Sequence, residues 1–515
     1  MSSELHNLLI ISDLHLGEDL RPSTSKTGYL RHLIVLEREL EAFLDHYSQV
    51  RMGDRPWNLV VNGDMVDFLS VCLLPQQGEV FEGHEVDEEE RVYGLGTRPN
   101  AAKTKMRRVL ERHKGVFAAL ARFVGAGNTL SIVAGNHDVE FHWPVVQETF
   151  KKGVADRWAA DGLSARAGMP TPAEVESSIS FHPWFYFQEN VVWVEHGHQY
   201  DDYCSFDYVL NPVAPTISDL ESSRTPPAKD EIALNVGAAA IKYVGNHFSE
   251  EHSGQGDNWD AIGYIKWTLA KGWKGVYRIA LGYFAMVWRM LTLWRVLAKQ
   301  PLDGRLKLGH REQLKLLAAK VRLSEESLDA IDALKRRPVA TNLIALLGAL
   351  MLDKVLVVAG AAVMITAVAL ALPWQLGLIG VAMVVGLAVC GAILLNRRRS
   401  TVDAGAKMRL VPELIRRHVR APFVVFGHSH DPAAVPLEGG GMYFNTGTWV
   451  ATEKPGVKNA FTHVMIEHGD DGVEARLCQW WGGQSRNYSP PKHESHAAPA
   501  KVATAPSTPI AGTRK

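Results

Sequence analysis

Five short motifs rich in carboxylate, carboxamide and imidazole groups lie along the chain: Asp13-Leu14-His15, Gly63-Asp64, Gly135-Asn136-His137-Asp138, His196-Gly197-His198 and Gly427-His428-Ser429-His430. Oxygen and nitrogen donors without thiolate suit Mn, Fe or Zn better than a soft-metal centre. Two divalent ions sharing one bridging carboxylate would clamp phosphoryl oxygens during in-line attack, and Asp64 is the candidate bridge. An imidazole in the cluster that binds no metal would protonate the departing oxygen, and His137, beside the ligand-type Asn136, is placed for it. A lone DxH or GD is mostly a turn or a helix cap. The GNHD and GHSH motifs are more specific, and all five in order make a purely structural reading hard to sustain.

Residues so far apart in sequence need a scaffold that brings them together. Short apolar runs at 8–11, 59–61, 130–133, 191–194 and 423–426 each stand just before one of the motifs and read as buried strands. Helical patterns at 30–47 and 103–123, with apolar residues three and four apart, alternate with them, so the fold class is α/β. The carboxyl ends of strands in such a sheet converge on one edge, where residues from separate strands meet. Further short runs at 442–444, 463–466 and 473–477 predict closing hairpins, and from 482 the Pro, Ala, Ser and Lys content predicts a disordered tail.

Between motifs four and five, residues 206–419 form a helical insertion far longer than the connections inside a compact domain. It divides the expected catalytic domain into 1–205 and 420–481. Within it, 355–372 and 376–395 are runs without a charge, separated by Pro373, Trp374 and Gln375. Each is close to the roughly 20 residues that cross a bilayer. Lys335, Arg336, Arg337 and Lys354 precede the pair and Arg397, Arg398 and Arg399 follow it. By the positive-inside rule both outer ends are cytoplasmic, which predicts a two-helix membrane protein with its catalytic domain in the cytoplasm. Upstream, 275–299 interleaves Tyr277, Tyr283, Phe284, Trp288 and Trp294 with Arg278, Arg289, Arg295 and Lys299. That pattern fits a helix lying in the headgroup region as well as one packed on protein.

Lys plus Arg total 55 and Asp plus Glu 56 in 515 residues, a balance that gives no reason to expect a nucleic-acid partner. Cys72, Cys204, Cys390 and Cys478 are scattered without a CxxC pair, as expected in a reducing compartment and not in a thiolate zinc site. The start of the chain, polar up to Asn7, lacks the pattern of an export signal. The acidic run at 87–90 reads as a solvated loop, and His142, Trp143, His182 and Trp184 as packed side chains.

The five motifs together resemble the signature of the calcineurin-like metallophosphoesterase superfamily, over 8–477 apart from the insertion. The resemblance implies a β-sandwich flanked by helices and a two-metal hydrolase of phosphomonoesters, phosphodiesters or pyrophosphates. By it, Asp13, His15, Asp64 and His430 hold one ion, while Asp64, Asn136, His196 and His428 hold the other. His137 is the proton donor, and the metals are Mn, Fe or Zn. His198 is the alternative to His196 and is placed behind the ligands, where Asp67 and Asp138 orient them or cap turns. The UDP-diacylglucosamine pyrophosphatases are similar in the opening 12–16 and in a helical insertion after motif four. They carry arginine where this chain has His137, and no transmembrane hairpin, so their substrate does not transfer. The expected partners are a membrane and a phosphorylated lipid or small molecule. A tethered phosphodiesterase for soluble nucleotides and a non-catalytic scaffold are the competing expectations.

Overall fold

The computed structural model describes residues 6–21, 29–79, 81, 83–215, 230–248, 272–297, 300–398, 408–450, 460–470, 472–488 and 500–502. Strand β1 (Asn7–Ile11) lies inside a mixed sheet, parallel to β2 (Trp57–Asn62), which leads on to parallel β3 (Thr129–Val133) and β4 (Ile179–His182). On its other side β1 meets antiparallel β12 (Thr462–Gly469), then β13 (Gly472–Trp481) and β14 (Gln484–Asn487). A second sheet runs β10 (Ala433–Leu437), β11 (Gly441–Asn445), β9 (Phe423–Phe426), β6 (Val192–Glu195) and β5 (Phe185–Gln188). Its three inner strands are parallel. The fold is α/β with two mixed sheets.

Alternation of side chains builds the layers. Leu8 and Ile10 point into one apolar cluster with Val192, Val194, Phe423, Val425 and Phe444, so the two sheets pack face to face. Leu9 and Ile11 point the opposite way, into a cluster with α1 (Tyr29–Gln49), α3 (Pro99–Arg112), α4 (Lys114–Gly125), α5 (Pro144–Ala160) and α6 (Pro172–Ser177). The single helix expected over 103–123 is two, α3 and α4, because His113 breaks the run with φ −104° and ψ 38°. Its ring is buried, with Nε2 accepting from the Gly17 amide at 2.8 Å and Nδ1 2.6 Å from Glu37 Oε1. The acidic run is not a loop either: Asp87 caps the short α2 (Glu88–Tyr93), and Glu90 is buried against His84.

The expected insertion divides into parts with different tasks. A β7–β8 hairpin (Val213–Pro215, Asp230–Ile232) and α7 (Val236–Ala240), continued by a π-turn, lead to α8 (Gly272–Leu297). Then α9 (Gln300–Val321), α10 (Glu325–Asp332) and, much later, α14 (Val411–Arg416) pack on the outer face of the second sheet, against Trp193, Val424, Phe426 and Tyr443. These helices therefore belong to the layered domain, because that apolar face needs cover. The short α11 (Leu343–Ala349) introduces α12 (Leu352–Ala371) and α13 (Trp374–Arg398), an antiparallel pair at whose turn Pro373 stands.

The windows Leu352–Ala371 and Trp374–Leu394 have mean hydropathy 2.3 and 2.5 and are buried by the protein for only 0 % and 6 % of their residues. Both are long and apolar enough to cross a membrane, and neither is a core helix. Arg399, on the outer flank of the pair, and Lys299, after α8, lie outside the described residues.

The tail expected to be disordered from 482 is corrected in part. Residues 484–487 form β14, and β15 (Ala500–Val502) pairs with β13, since β13 offers an edge whose ladder groups need partners. The remainder of that stretch, 489–499 and 503–515, is outside the described residues.

Candidate metal centre

The loops after β1, β2, β3, β6 and β9 meet at one edge of the two sheets. Backbone bonds stitch them together: the Asp13 amide donates to the Gly63 carbonyl at 3.2 Å and the Gly427 amide to the His196 carbonyl at 3.0 Å, while the His428 amide reaches Asp13 Oδ2 at 3.2 Å. Asp13, His15, Asp64, His428 and His430 all have positive φ, between 48° and 65°. That region costs a non-glycine residue on the order of 1 kcal/mol, and such a concentration marks a site where side-chain direction overrides backbone preference.

Their side chains converge. His430 Nε2 is 3.1 Å from Asp13 Oδ1, and His15 Nε2 is 4.0 Å from the same oxygen and 3.9 Å from Asp64 Oδ2. On the other side His196 Nε2 is 3.2 Å from Asp64 Oδ2 and 3.2 Å from Asn136 Oδ1. The rings of His196 and His428 are 5.3 Å apart. Two groups of potential ligands result, Asp13 with His15 and His430, and Asp64 with His196 and His428. His15, Asp64 and His137 form a third group, so Asp64 stands between the two halves.

The donors fit cations on a further count. His15 Nε2 is buried and has no hydrogen-bond partner, and the buried Asp13 Oδ1 faces the His430 imidazole at 3.1 Å. The bare His15 nitrogen would cost on the order of 1–3 kcal/mol if nothing compensated it, and both atoms point into the cluster. His196 is aimed by its other nitrogen, Nδ1, which lies 2.8 Å from the Asn62 carbonyl, the arrangement that fixes a ligand imidazole's tautomer.

Ionisation also suits the centre. Burial alone would push the Asp64 carboxyl up, but His196 and His137 hold it well below the usual range. Burial works against Asp13 too, yet His430 keeps it low. His137 is raised to about 9: burial opposes its charge, and the carboxylates of Asp67 and Asp64 outweigh burial. Its Nδ1 is 2.9 Å from Asp67 Oδ1, which leaves Nε2 as the nitrogen able to deliver a proton.

No protein-family model, curated protein or solved structure matches the chain. The capacity of the site is therefore read from its own donors. All eleven residues expected there lie at this edge. Asp13, His15, Asp64, Asn136, His196, His428 and His430 form the cluster. Asp67 takes His137 and His15 on its two oxygens, the latter at 3.3 Å, and also accepts from the Ser70 amide and hydroxyl. Asp138 receives the Gly135 amide at 2.6 Å and the Met65 amide at 2.8 Å, so it ties motif three to motif two.

His198 is buried, joins none of the candidate groups among the described residues, and sits beside His428 with ring centroids 6.5 Å apart. Burial, reinforced by His196 and His428, drives its pKa far down and keeps it neutral. Trp184 is also core: its indole donates to buried Glu195 at 2.9 Å.

Two sets of residues were missed. Asp201 Oδ2 lies 3.2 Å from His428 Nε2, and Asp201, Cys204 and His428 form a fourth potential group. The acidic pair Asp201-Asp202 just past His198 was the available signal. The segment Asn445-Thr446-Gly447-Thr448-Trp449, which belongs to none of the five motifs, braces the site. Asn445 Nδ2 donates to the Gly427 carbonyl at 2.8 Å, Thr448 Oγ1 to the Asp13 carbonyl at 3.1 Å, and Thr446 Oγ1 lies 2.6 Å from Ser12 Oγ.

Proposed function

We propose that this chain is a dinuclear metal-dependent phosphoesterase of the calcineurin-like superfamily, hydrolysing a phosphoester or pyrophosphate bond at the cytoplasmic face of a membrane. The observation that carries the reading is the position of Asp64, shared by candidate groups on either side, next to the partnerless His15 Nε2. Asp13, His15, Asp64 and His430 would hold one cation, and Asp64, Asn136, His196 and His428 the other. Mn, Fe or Zn fits this donor set, and the pair would supply Lewis acidity toward phosphoryl oxygens and acidify water.

The chain's own residues supply the rest. His137 gives a proton from Nε2 to the leaving oxygen as the bond from phosphorus to that oxygen breaks and the bond from phosphorus to water oxygen forms. Asp67 holds the ring and stabilises its charged form at the start of that transfer. Asp138 and the Asn445–Trp449 segment keep the five loops in register.

The paired apolar helices α12 and α13 favour a membrane address, and their basic flanks favour cytoplasmic outer ends. Because the insertion leaves the domain soon after His198 and returns shortly before His428, a bilayer close to the site suits a lipid-linked phosphate. A soluble nucleotide or other small phosphoester handled by a tethered enzyme is the second reading.

Purified, Mn-loaded full-length protein, tested on phosphomonoesters, cyclic and linear nucleotides, nucleotide sugars and phospholipids in mixed micelles, decides among them. Turnover of a phospholipid or lipid pyrophosphate in micelles supports the lipid reading, and turnover restricted to soluble esters supports the second. Two bound metal ions without turnover of any phosphate ester would refute the hydrolase and leave a scaffold.

A further inference from the structure

Helix α8 carries two opposite faces. Gly282, Met286 and Met290, spaced by four, are buried against the protein. A Cβ on Gly282 would come within 2.2 Å of the Tyr243 carbonyl, so the backbones of α8 and the segment after α7 nearly touch. Met286 and Met290 join Val236, Ala239, Tyr243, Leu346 and Leu350 in one apolar cluster. Arg289 pairs with Glu231 at 2.5 Å on the flank of that packed face.

The far face is built of large aromatic groups left mostly bare. Trp273, Tyr277, Phe284 and Trp288 are 90 %, 66 %, 65 % and 73 % exposed, and Leu281 stands among them. At 3.6 residues per turn these five positions fall on one stripe opposite Gly282 and Met286. Lys274 and Arg278 are exposed along one edge of it, and Arg295 extends it toward the end of the helix. A soluble surface rarely leaves so much contiguous aromatic area bare.

Continuity with the hairpin says what covers it. Tyr283 on α8 donates its hydroxyl to the Leu350 carbonyl, two residues before α12 begins, and Leu352 packs on the same cluster as α8. Ile344, on the α11 helix that feeds the hairpin, is also bare, at 82 % exposed. The stripe is therefore fixed at the base of the helices that are apolar enough to span a bilayer, the level at which headgroups lie. Trp and Tyr favour that level because an apolar ring and a polar edge are satisfied together, and flanking Lys and Arg meet lipid phosphates.

We propose that α8 is an interfacial membrane helix, its Trp273–Trp288 stripe seated in the headgroup layer as a second, lateral contact that fixes the tilt of the catalytic domain on the bilayer. This rests on the membrane address proposed above for α12 and α13.

Spin labels test it in full-length protein reconstituted into vesicles of phosphatidylethanolamine and phosphatidylglycerol. Cys204 and Cys390 are first replaced by Ser, and the buried Cys72 and Cys478 are left. Single labels go on Tyr277→Cys, Phe284→Cys and Trp288→Cys, with Val363→Cys in the hairpin and Arg108→Cys on the catalytic surface as references. The expected result is loss of collisions with an aqueous nickel chelate and gain of collisions with oxygen at 277, 284 and 288, as at 363 and unlike 108. Nickel access at the three positions equal to that at 108, with 363 in lipid, overturns the proposal and leaves the hairpin reading standing. Exclusion of both quenchers, with dipolar broadening between labels, also overturns it by showing a second copy on the stripe. Nickel access at 363 sinks the membrane reading itself.

Discussion

His137 and Asp67 face each other with Nδ1 and Oδ1 2.9 Å apart, and the second oxygen of the same carboxylate lies 3.3 Å from His15 Nδ1. One buried carboxylate thus orients both the proposed proton donor and a proposed ligand. Removing the donor should separate from removing its orienter. His137→Ala should keep bound metal and lose turnover by about 10²–10⁴ on esters with poor leaving groups, with a much smaller loss on nitrophenyl esters. Asp67→Asn should lose about 10–100-fold in turnover or metal affinity, because the His15 ring is freed as well. Full activity of His137→Ala on a poor leaving group would remove it from the mechanism.

Asp64 should be the residue on which metal content depends most. Asp64→Ala is expected to fall below one ion per chain by elemental analysis and to lose turnover beyond what either flanking histidine costs, since it lies in two of the candidate groups, with His15 on one side and His196 on the other. His430→Ala should weaken only one of the two ions. Equal stoichiometry in the two variants would argue against a shared bridge.

Chelation should lower the melting temperature, and adding back Mn should restore it. The centre holds Asp13, Asp64 and Asp67 within one buried cluster, and cations bound to the folded state alone stabilise it by mass action. Calorimetry with and without chelator measures the shift.

Two glycines are fixed by contact with the site. A Cβ on Gly63, where φ is +80°, would sit 2.2 Å from His196 Nδ1, and one on Gly135 would sit 2.1 Å from Asp64 Oδ1. Gly63→Ala and Gly135→Ala should each cost on the order of 2 kcal/mol and displace a ligand, read as a drop in melting temperature together with metal loss.

The pH dependence of stability should carry a signature of His463, remote from the metal loops on β12. Burial pushes its pKa from 6.5 to about 3. Above pH 6.5 it is neutral folded and unfolded and contributes no slope. Below that, the unfolded chain takes up a proton that the folded chain refuses, so stability falls as pH drops toward about 3. The loss at pH 5 is about 2 kcal/mol. His463→Gln should flatten the acid limb of a melting-temperature profile, and an unchanged limb would assign it to other groups.

What was legible in the sequence was whatever is encoded locally. Strands β1, β2, β3, β6 and β9 announce themselves as apolar runs, and each hands its motif to the next few residues, so the candidate site could be named before any contact was known. The hairpin was legible for the same reason, because hydropathy over roughly 20 residues is a property of one segment. Short half-exposed strands such as β5, β10 and β14 were not, since their pairing depends on neighbours and not on their own composition. The break at His113 was hidden because its ring is satisfied by Gly17 and Glu37, far away in the chain.

Tertiary structure alone decided who stands next to whom. The sequence supplied Asp67, but not that its two oxygens divide between His137 and His15; it supplied Asn445–Trp449, but not that this segment braces Asp13 and Gly427. It marked α8 as aromatic and basic, while only packing revealed which rings face Tyr243 and which are left bare. The reason is one of range: propensity, hydropathy and motif spacing act over a few residues along the chain, whereas burial, ligand geometry and the choice of a helix's outer face are set by groups hundreds of residues away.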